Sequence, residues 1–180
     1  DTLSQYREVF TFPIEDYYKR VGFDFDKIPF SMLAHEYMED YQEKSYACDL
    51  HSDVLDVVNK AKNLGFSQTV LSASKMDYFL KQMETLHVDD LYDSIYGIND
   101  IYAKSKVELA HAFKQTCSLD DEIYFVGDSV HDYEVAKNIG AKCILVTTGH
   151  QNRATLESVN VPVMDSLMES LDLIYERDKD

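Results

Sequence analysis

The stretch Ile123-Tyr124-Phe125-Val126-Gly127-Asp128-Ser129-Val130-His131-Asp132 decides how this chain folds. Its first four residues are apolar, rich in β-branched and aromatic types, and read as a buried parallel strand. Gly127 allows a sharp turn, and Asp128 stands where the strand ends. Asp132 follows four residues later, as the pattern from Val130 to Ile139 opens a helix. In open α/β sheets, ligands bind beyond the carboxyl ends of the strands. Two carboxylates on such a turn suit a hard cation such as Mg2+, which takes oxygen ligands and keeps several waters. The same two residues also read as a turn aspartate and a first-turn helix acid favoured by the helix dipole. The segment alone does not choose between these readings.

Working outward, the same alternation continues on both sides. Upstream, Asp53 to Leu64 places Val54, Leu55, Val57, Val58 and Ala61 at helical spacing and stops at Gly65. Thr69-Val70-Leu71 is a short strand that runs into Ser72-Ala73-Ser74, and Lys75 to Leu86 is a helix. Ser94 to Gly97 is a brief strand, and Lys104 to Thr116 is a helix with Val107, Leu109, Ala110 and Phe113 inward. Downstream, Gly140 closes a helix and Ala141 to Thr147 is a strand. Val161-Pro162-Val163 reads as an edge strand, because proline cannot serve a central ladder. Leu167 to Tyr175 is a last helix. Strands alternating with helices predict an α/β core with a parallel, Rossmann-like sheet covered on both faces, over residues 50–180.

Residues 1–49 have another texture. Tyr6, Val9 and Phe10, then Ile14, Tyr17, Tyr18 and Val21, then Met32, Leu33, Tyr37, Met38 and Tyr41 recur at helical spacing. A bundle of aromatic-faced helices fits, and so does a ligand cage.

The chain has 180 residues, enough for one domain or one domain with a small insertion. With 45% hydrophobic residues it holds a real core and is too apolar for disorder. The net charge of −16 argues against nucleic acid, whose phosphates reward Lys and Arg, and against an anionic membrane surface. Cys48, Cys117 and Cys143 are far apart and show no metal spacing, so they read as free thiols in a reducing compartment. With no long apolar run and no secretory leader, the expected location is the cytoplasm. No motif specifies an oligomeric state.

Three strand ends carry polar groups. Ser72, with the backbone N–H of Ala73, can make an anion site at a helix start, or Ser72 or Ser74 can simply cap that helix. Lys104-Ser105-Lys106 opens a helix, where the dipole disfavours cations. A lysine there needs a reason, and neutralising a bound phosphate is one; Lys106 is the preferred candidate and Lys104 the solvated one. The third end is Gly127-Asp128 with Asp132.

In this order and spacing, Leu71-Ser72-Ala73-Ser74, Lys106 and Gly127 to Asp132 resemble the haloacid dehalogenase superfamily in its phosphatase branch, over roughly residues 50 to 150. Leu3 to Phe25 is similar to part of that family's helical cap. Thr147-Thr148-Gly149-His150-Gln151 resembles phosphoglycolate-phosphatase-like members, with His150 either shaping the rim or an ordinary loop histidine. The resemblance implies a Mg2+-dependent phosphomonoester hydrolase acting on a small phosphorylated metabolite through an aspartyl-phosphate. It implies that Asp128 binds Mg2+, that Asp132 binds it directly or through water, and that Ser72, Ala73 and Lys106 hold the phosphoryl oxygens.

One element of that pattern is absent: no Asp-x-Asp-x-Thr follows a hydrophobic strand. Asp24-Phe25-Asp26 has the aspartate spacing but no strand before it, and Lys27-Ile28-Pro29 follows, so it reads as a loop. The resemblance makes the missing strand the central one. Without it the strands at Val70 and Ile123 lack their shared neighbour, and each buried unpaired backbone group costs ~1–3 kcal/mol. The expectation is therefore a chain completed by another segment, or an inactive relative that binds a phosphorylated ligand or a protein partner. A receiver-type or nucleotide-binding domain lacks support, since no glycine-rich phosphate loop occurs.

Overall fold

The computed structural model describes residues 2–98 and 106–179, with only the backbone of Gln42 and Glu43. Three helices come first: α1 (Leu3–Val9), α2 (Ile14–Arg20) and α3 (Phe30–Ser45). The core follows as α4 (Val54–Asn63), β1 (Thr69–Lys75), α5 (Met76–Thr85), β2 (Ser94–Ile98), α6 (Lys106–Thr116), β3 (Tyr124–Gly127) and α7 (Val130–Ile139). It ends with β4 (Lys142–Val146), α8 (Arg153–Glu157), β5 (Val163–Met164) and α9 (Leu167–Arg177). No described helix is long and apolar enough to cross a membrane.

Every described ladder is parallel. β1 pairs with β2, Leu71 opposite Tyr96. β3 pairs with β4, Phe125 opposite Cys143, and β4 with β5, Leu145 opposite Val163. Among the described residues no ladder joins β1 to β3, so the strands fall into a pair and a triplet. The two sets nevertheless share one cover. Leu71 of β1 and Phe125 of β3 both pack, with Val107, on the buried cluster of Ala110, Val135 and Ile139 from α6 and α7. The described strands form a Rossmann-like parallel array with no described strand between β1 and β3.

Burial follows from that gap. β4 has a neighbour on each side, and Cys143 to Val146 are all buried. Neither β1 nor β3 has a buried residue, and Val126 is 37% exposed. A second buried cluster, Ala136, Cys143, Leu145 and Leu156, joins α7, β4 and α8. The sulfur chemistry is quiet: Cys48, Cys117 and Cys143 are free, and burial pushes the Cys143 thiol up to about 12.

Several elements differ from the sequence reading, each for a local reason. β1 runs on to Lys75, with an irregularity of register between Leu71 and Lys75, and α5 begins one residue later than expected. The last strand sits at Val163–Met164; Pro162 precedes it and contributes only its carbonyl, which accepts from Leu145 N–H at 2.9 Å. α8 is short and was not foreseen; Asn152 caps it by accepting from Thr155 N–H at 2.9 Å. Leu55, expected inward, is 47% exposed. So is most of the α3 stripe, with Met32, Tyr37, Met38 and Tyr41 exposed, while Phe10 is buried. The tight aromatic packing lies instead between α1 and α2, where Phe10 meets Tyr6, Phe12 and Tyr17 at 5.2–5.5 Å between ring centroids. The expected helix start at Lys104 lies outside the described residues.

Leu145 is fully buried at the junction of β3, β4 and β5. Leu145→Ala should therefore destabilise the chain by about 3 kcal/mol, the usual cost of a large cavity. Urea unfolding checks this, and a loss below about 1 kcal/mol contradicts the packing.

Candidate active site

The turn after β3 is built around one carboxylate. Asp132 is 2% exposed. Its Oδ2 accepts from Asp128 N–H at 3.1 Å, Ser129 N–H at 3.1 Å and the Ser129 hydroxyl at 2.7 Å. Its Oδ1 accepts from Lys106 Nζ at 2.5 Å. Ser129 in turn caps α7, its Oγ accepting from Asp132 N–H at 3.3 Å, which completes a capping box. Gly127 is required by this closeness: a Cβ there would overlap the Asp132 side chain. The first-turn-acid reading of Asp132 thus describes its geometry well. Both oxygens are engaged, so any share in a metal site runs most simply through water.

Burial pushes the Asp132 carboxyl up, but the Lys106 charge and the hydrogen bonds from Lys106, Ser129 and Asp128 N–H together outweigh it. The carboxyl lies below its ordinary value. Lys106 opens α6, the place where the dipole opposes a cation. Here the opposing carboxylate supplies the reason for a lysine, and the ammonium also lies 5.6 Å from the Phe125 ring centroid.

Asp128 is differently placed. Its Oδ2 accepts from His150 N–H at 2.8 Å, while Oδ1 carries no hydrogen bond among the described residues. Gly149 lies so close that a Cβ would overlap the Asp128 carboxylate. Asp128 lines a cavity of about 720 Å³ together with Tyr6, Arg7, His51, Val126 and His150. A carboxylate oxygen with no hydrogen bond among the described residues, beside an open cavity, suits a hard cation that retains waters. Among the described residues no group of three or more His, Cys, Asp or Glu side chains converges. The donor set is therefore oxygen-based and partial, a fit for Mg2+ held by one or two carboxylates, waters and a phosphate.

Lys106, Asp128 and Asp132 form one hydrogen-bonded group. Ser72 and Ala73, expected just past the strand, lie within β1, where its register turns irregular after Leu71, and Leu71 packs on the same α6–α7 cluster as Val107 and Phe125. Ser72 Oγ accepts from Ser74 N–H at 3.1 Å, and neither serine caps α5, whose N-cap position is Lys75. Ala73 is exposed.

Sequence reasoning missed Tyr6, Arg7 and Gln151. Gln151 is buried, and its Oε1 accepts from Val130 N–H at 2.7 Å, closing the start of α7. Tyr6 hydroxyl and His150 Nδ1 lie 2.7 Å apart, and Phe10 stacks on His150 with centroids 4.8 Å apart. His150 does lie on the rim. These partners are separated by more than a hundred residues, so no local pattern announces them. Nearby charge and phenols act on Tyr6: burial, then Tyr17, Tyr37 and Asp128, push its hydroxyl up to about 12.

The lowered Asp132 carboxyl sets an acid limit on stability. Its contribution is complete above the ordinary carboxylate range of about pH 4 and is lost as pH falls through the lowered folded-state value. Asp132→Asn should flatten that acid dependence. It should also cost about 1–3 kcal/mol at neutral pH, because the part-buried Lys106 loses its counter-charge and the turn N–H groups lose a charged acceptor. Urea unfolding of both proteins across this pH range checks both effects; parallel curves would overturn the assignment.

The comparisons with known proteins bear on the fold and the family. No curated protein matches the sequence significantly. Three solved structures illustrate the structural likeness. A haloacid dehalogenase-like family hydrolase from Streptococcus pneumoniae has a TM-score of 0.81 at 20% identity, over 97% of this chain and 81% of its own. A predicted phosphatase from Clostridium acetobutylicum has 0.78 at 19%, over 98% and 83%. Protein tyrosine kinase A from Mycobacterium tuberculosis has 0.75 at 19%, over 95% and 82%. At such identities these similarities concern the fold. The profile of the family described as haloacid dehalogenase-like hydrolase matches residues 2–146, most of the chain and the whole Lys106–Asp128–Asp132 group. The chain belongs to the haloacid dehalogenase-like hydrolase family.

Proposed function

We propose that this chain carries the metal- and phosphate-binding part of a Mg2+-dependent phosphomonoester hydrolase for a small phosphorylated metabolite. The observation that carries the proposal is the Lys106–Asp132–Asp128 group at the carboxyl end of β3, with one Asp128 oxygen holding no hydrogen bond among the described residues. A relative named as a phosphatase and another named as a tyrosine kinase match the fold about equally. The fold therefore leaves the reaction to the site.

Each residue then has a physical task. Asp128 would bind Mg2+, and Asp132 would bind it directly or through water while keeping the turn closed. Lys106, fixed against Asp132, presents its ammonium to a phosphoryl group as negative charge develops. The Ser72 hydroxyl and Ala73 N–H hold phosphoryl oxygens from the irregular second half of β1. Mg2+, when bound, supplies charge neutralisation and a template for the phosphate. The attacking carboxylate of the aspartyl-phosphate route lies outside this set, since Asp128 serves the metal and Asp132 is engaged on both oxygens. The same observation favours a second reading, a relative that binds a phosphorylated ligand without turning it over.

The test is a phosphatase assay on the full protein over a panel of small phosphate esters, with and without Mg2+. Asp128→Asn should weaken Mg2+ binding by at least about tenfold in calorimetry, and Asp132→Asn should weaken it less. Lys106→Ala should cost ~2–4 kcal/mol of transition-state stabilisation. Residues 1–180 made alone should leave the esters intact, while inorganic phosphate and Mg2+ still bind. Turnover that persists without Mg2+, or is untouched by Asp128→Asn, overturns the proposal. Ligand binding by the full protein with no turnover of any ester selects the second reading.

A further inference from the structure

Helix α1 and the loop after β4 grip each other through contacts that the proposed chemistry does not use. Arg7 spends two of its guanidinium nitrogens on the loop: Nε donates to the Gly149 carbonyl at 2.8 Å and Nη2 to the Thr148 carbonyl at 3.0 Å. Asn152 Nδ2 donates back to the Arg7 carbonyl at 3.4 Å. One residue earlier, the Tyr6 hydroxyl meets His150 Nδ1 at 2.7 Å, and one turn later Phe10 stacks on the same imidazole. The gripped loop does one thing at the site. His150 N–H donates to Asp128 Oδ2 at 2.8 Å, and the backbone of Gly149 lies against the same carboxylate, leaving no room for a Cβ. The carboxylate is thereby pinned by one oxygen and walled on one side, and Asp128 lines the cavity.

We infer that Arg7 is a positioning residue: its forked hold on the Thr148 and Gly149 carbonyls fixes the His150 N–H that orients Asp128, so cap placement and metal affinity are coupled. This rests on Asp128 being the metal ligand proposed above. A guanidinium suits the task because its planar fork fixes two acceptors at once, which a lysine ammonium cannot do. Coupling of this kind is reciprocal, so metal on Asp128 tightens α1 on the loop. Ordinary packing between α1 and the loop predicts otherwise: loss of Arg7 would then alter the unfolding midpoint and leave metal affinity where it was.

The experiment titrates the full chain with Mn2+, followed by water-proton relaxation, beside thermal unfolding of each variant. Arg7→Ala should weaken Mn2+ binding by about tenfold, the lower end of what outer-sphere partners contribute, and Arg7→Lys should restore little of it. Gly149→Ala, which pushes directly on Asp128 with Arg7 intact, should weaken Mn2+ at least as much. Where Arg7→Ala melts below the titration temperature, Tyr6→Phe decides, since it removes one hydroxyl; the expected loss is roughly twofold to threefold in affinity with little change in melting. Asp128→Asn separates the two ideas. Unchanged Mn2+ affinity in that variant overturns the site itself. Weakened affinity in Asp128→Asn with wild-type affinity in folded Arg7→Ala, in Tyr6→Phe, or full rescue by Arg7→Lys, overturns the coupling alone.

Discussion

The buried carboxylate of Asp132 is the constraint on which the rest of the site depends. An ionised group that is 2% exposed persists only when its charge and lone pairs are matched. Here four donors match it: the Lys106 ammonium, two backbone N–H groups of the turn and the Ser129 hydroxyl. Those donors belong to three parts of the fold, the start of α6, the turn after β3 and the cap of α7. The one carboxylate therefore fixes the relative positions of all three. It forces a glycine at 127, directs the α6 lysine toward the strand ends and leaves Asp128 to face outward.

The split sheet is the second organising fact. Leu71 and Phe125 lie under the same helices, so β1 and β3 belong to one layer, yet no described strand bridges them. The burial pattern records this directly. β4, flanked on both sides, is the buried strand, whereas the two strands beside the gap remain half-exposed. Asp128 follows the carboxyl end of β3, whereas Ser72 lies within β1, just past the point where Leu71 packs on the shared cluster.

The N-terminal helices meet the rest of the chain through polar and aromatic contacts. Arg7, Tyr6 and Phe10 engage the loop from Thr148 to Asn152, and Phe12 lies 5.3 Å from the His131 ring. Two aromatics thus rest on the loop after β4 and on the first turn of α7, the two segments beside Asp128. Directional contacts of this kind set orientation more than they add stability.

Much of this was legible in sequence because it is local. The Ile123–Val126 run, Gly127 and the Ser129–Asp132 spacing define a strand, a turn and a capped helix within ten residues, and β–α alternation then implies a parallel sheet. The ordered set of Ser72, Lys106, Asp128 and Asp132 carried the family likeness. What tertiary structure alone decided depends on contacts between residues distant in the chain. Asp132 has the spacing of a metal ligand and of a helix-cap acid alike; only the arrival of Lys106 engaged its second oxygen. The α3 stripe has core periodicity, yet Met32 and Tyr37 remain exposed, because periodicity specifies a face and not what covers it. Arg7 bears no local signature at all: its hydrogen bonds to the Thr148 and Gly149 carbonyls span more than a hundred residues and leave no spacing to read. Gln151 closes the start of α7 from 21 residues away, across β4, so its role too existed only once the chain had folded.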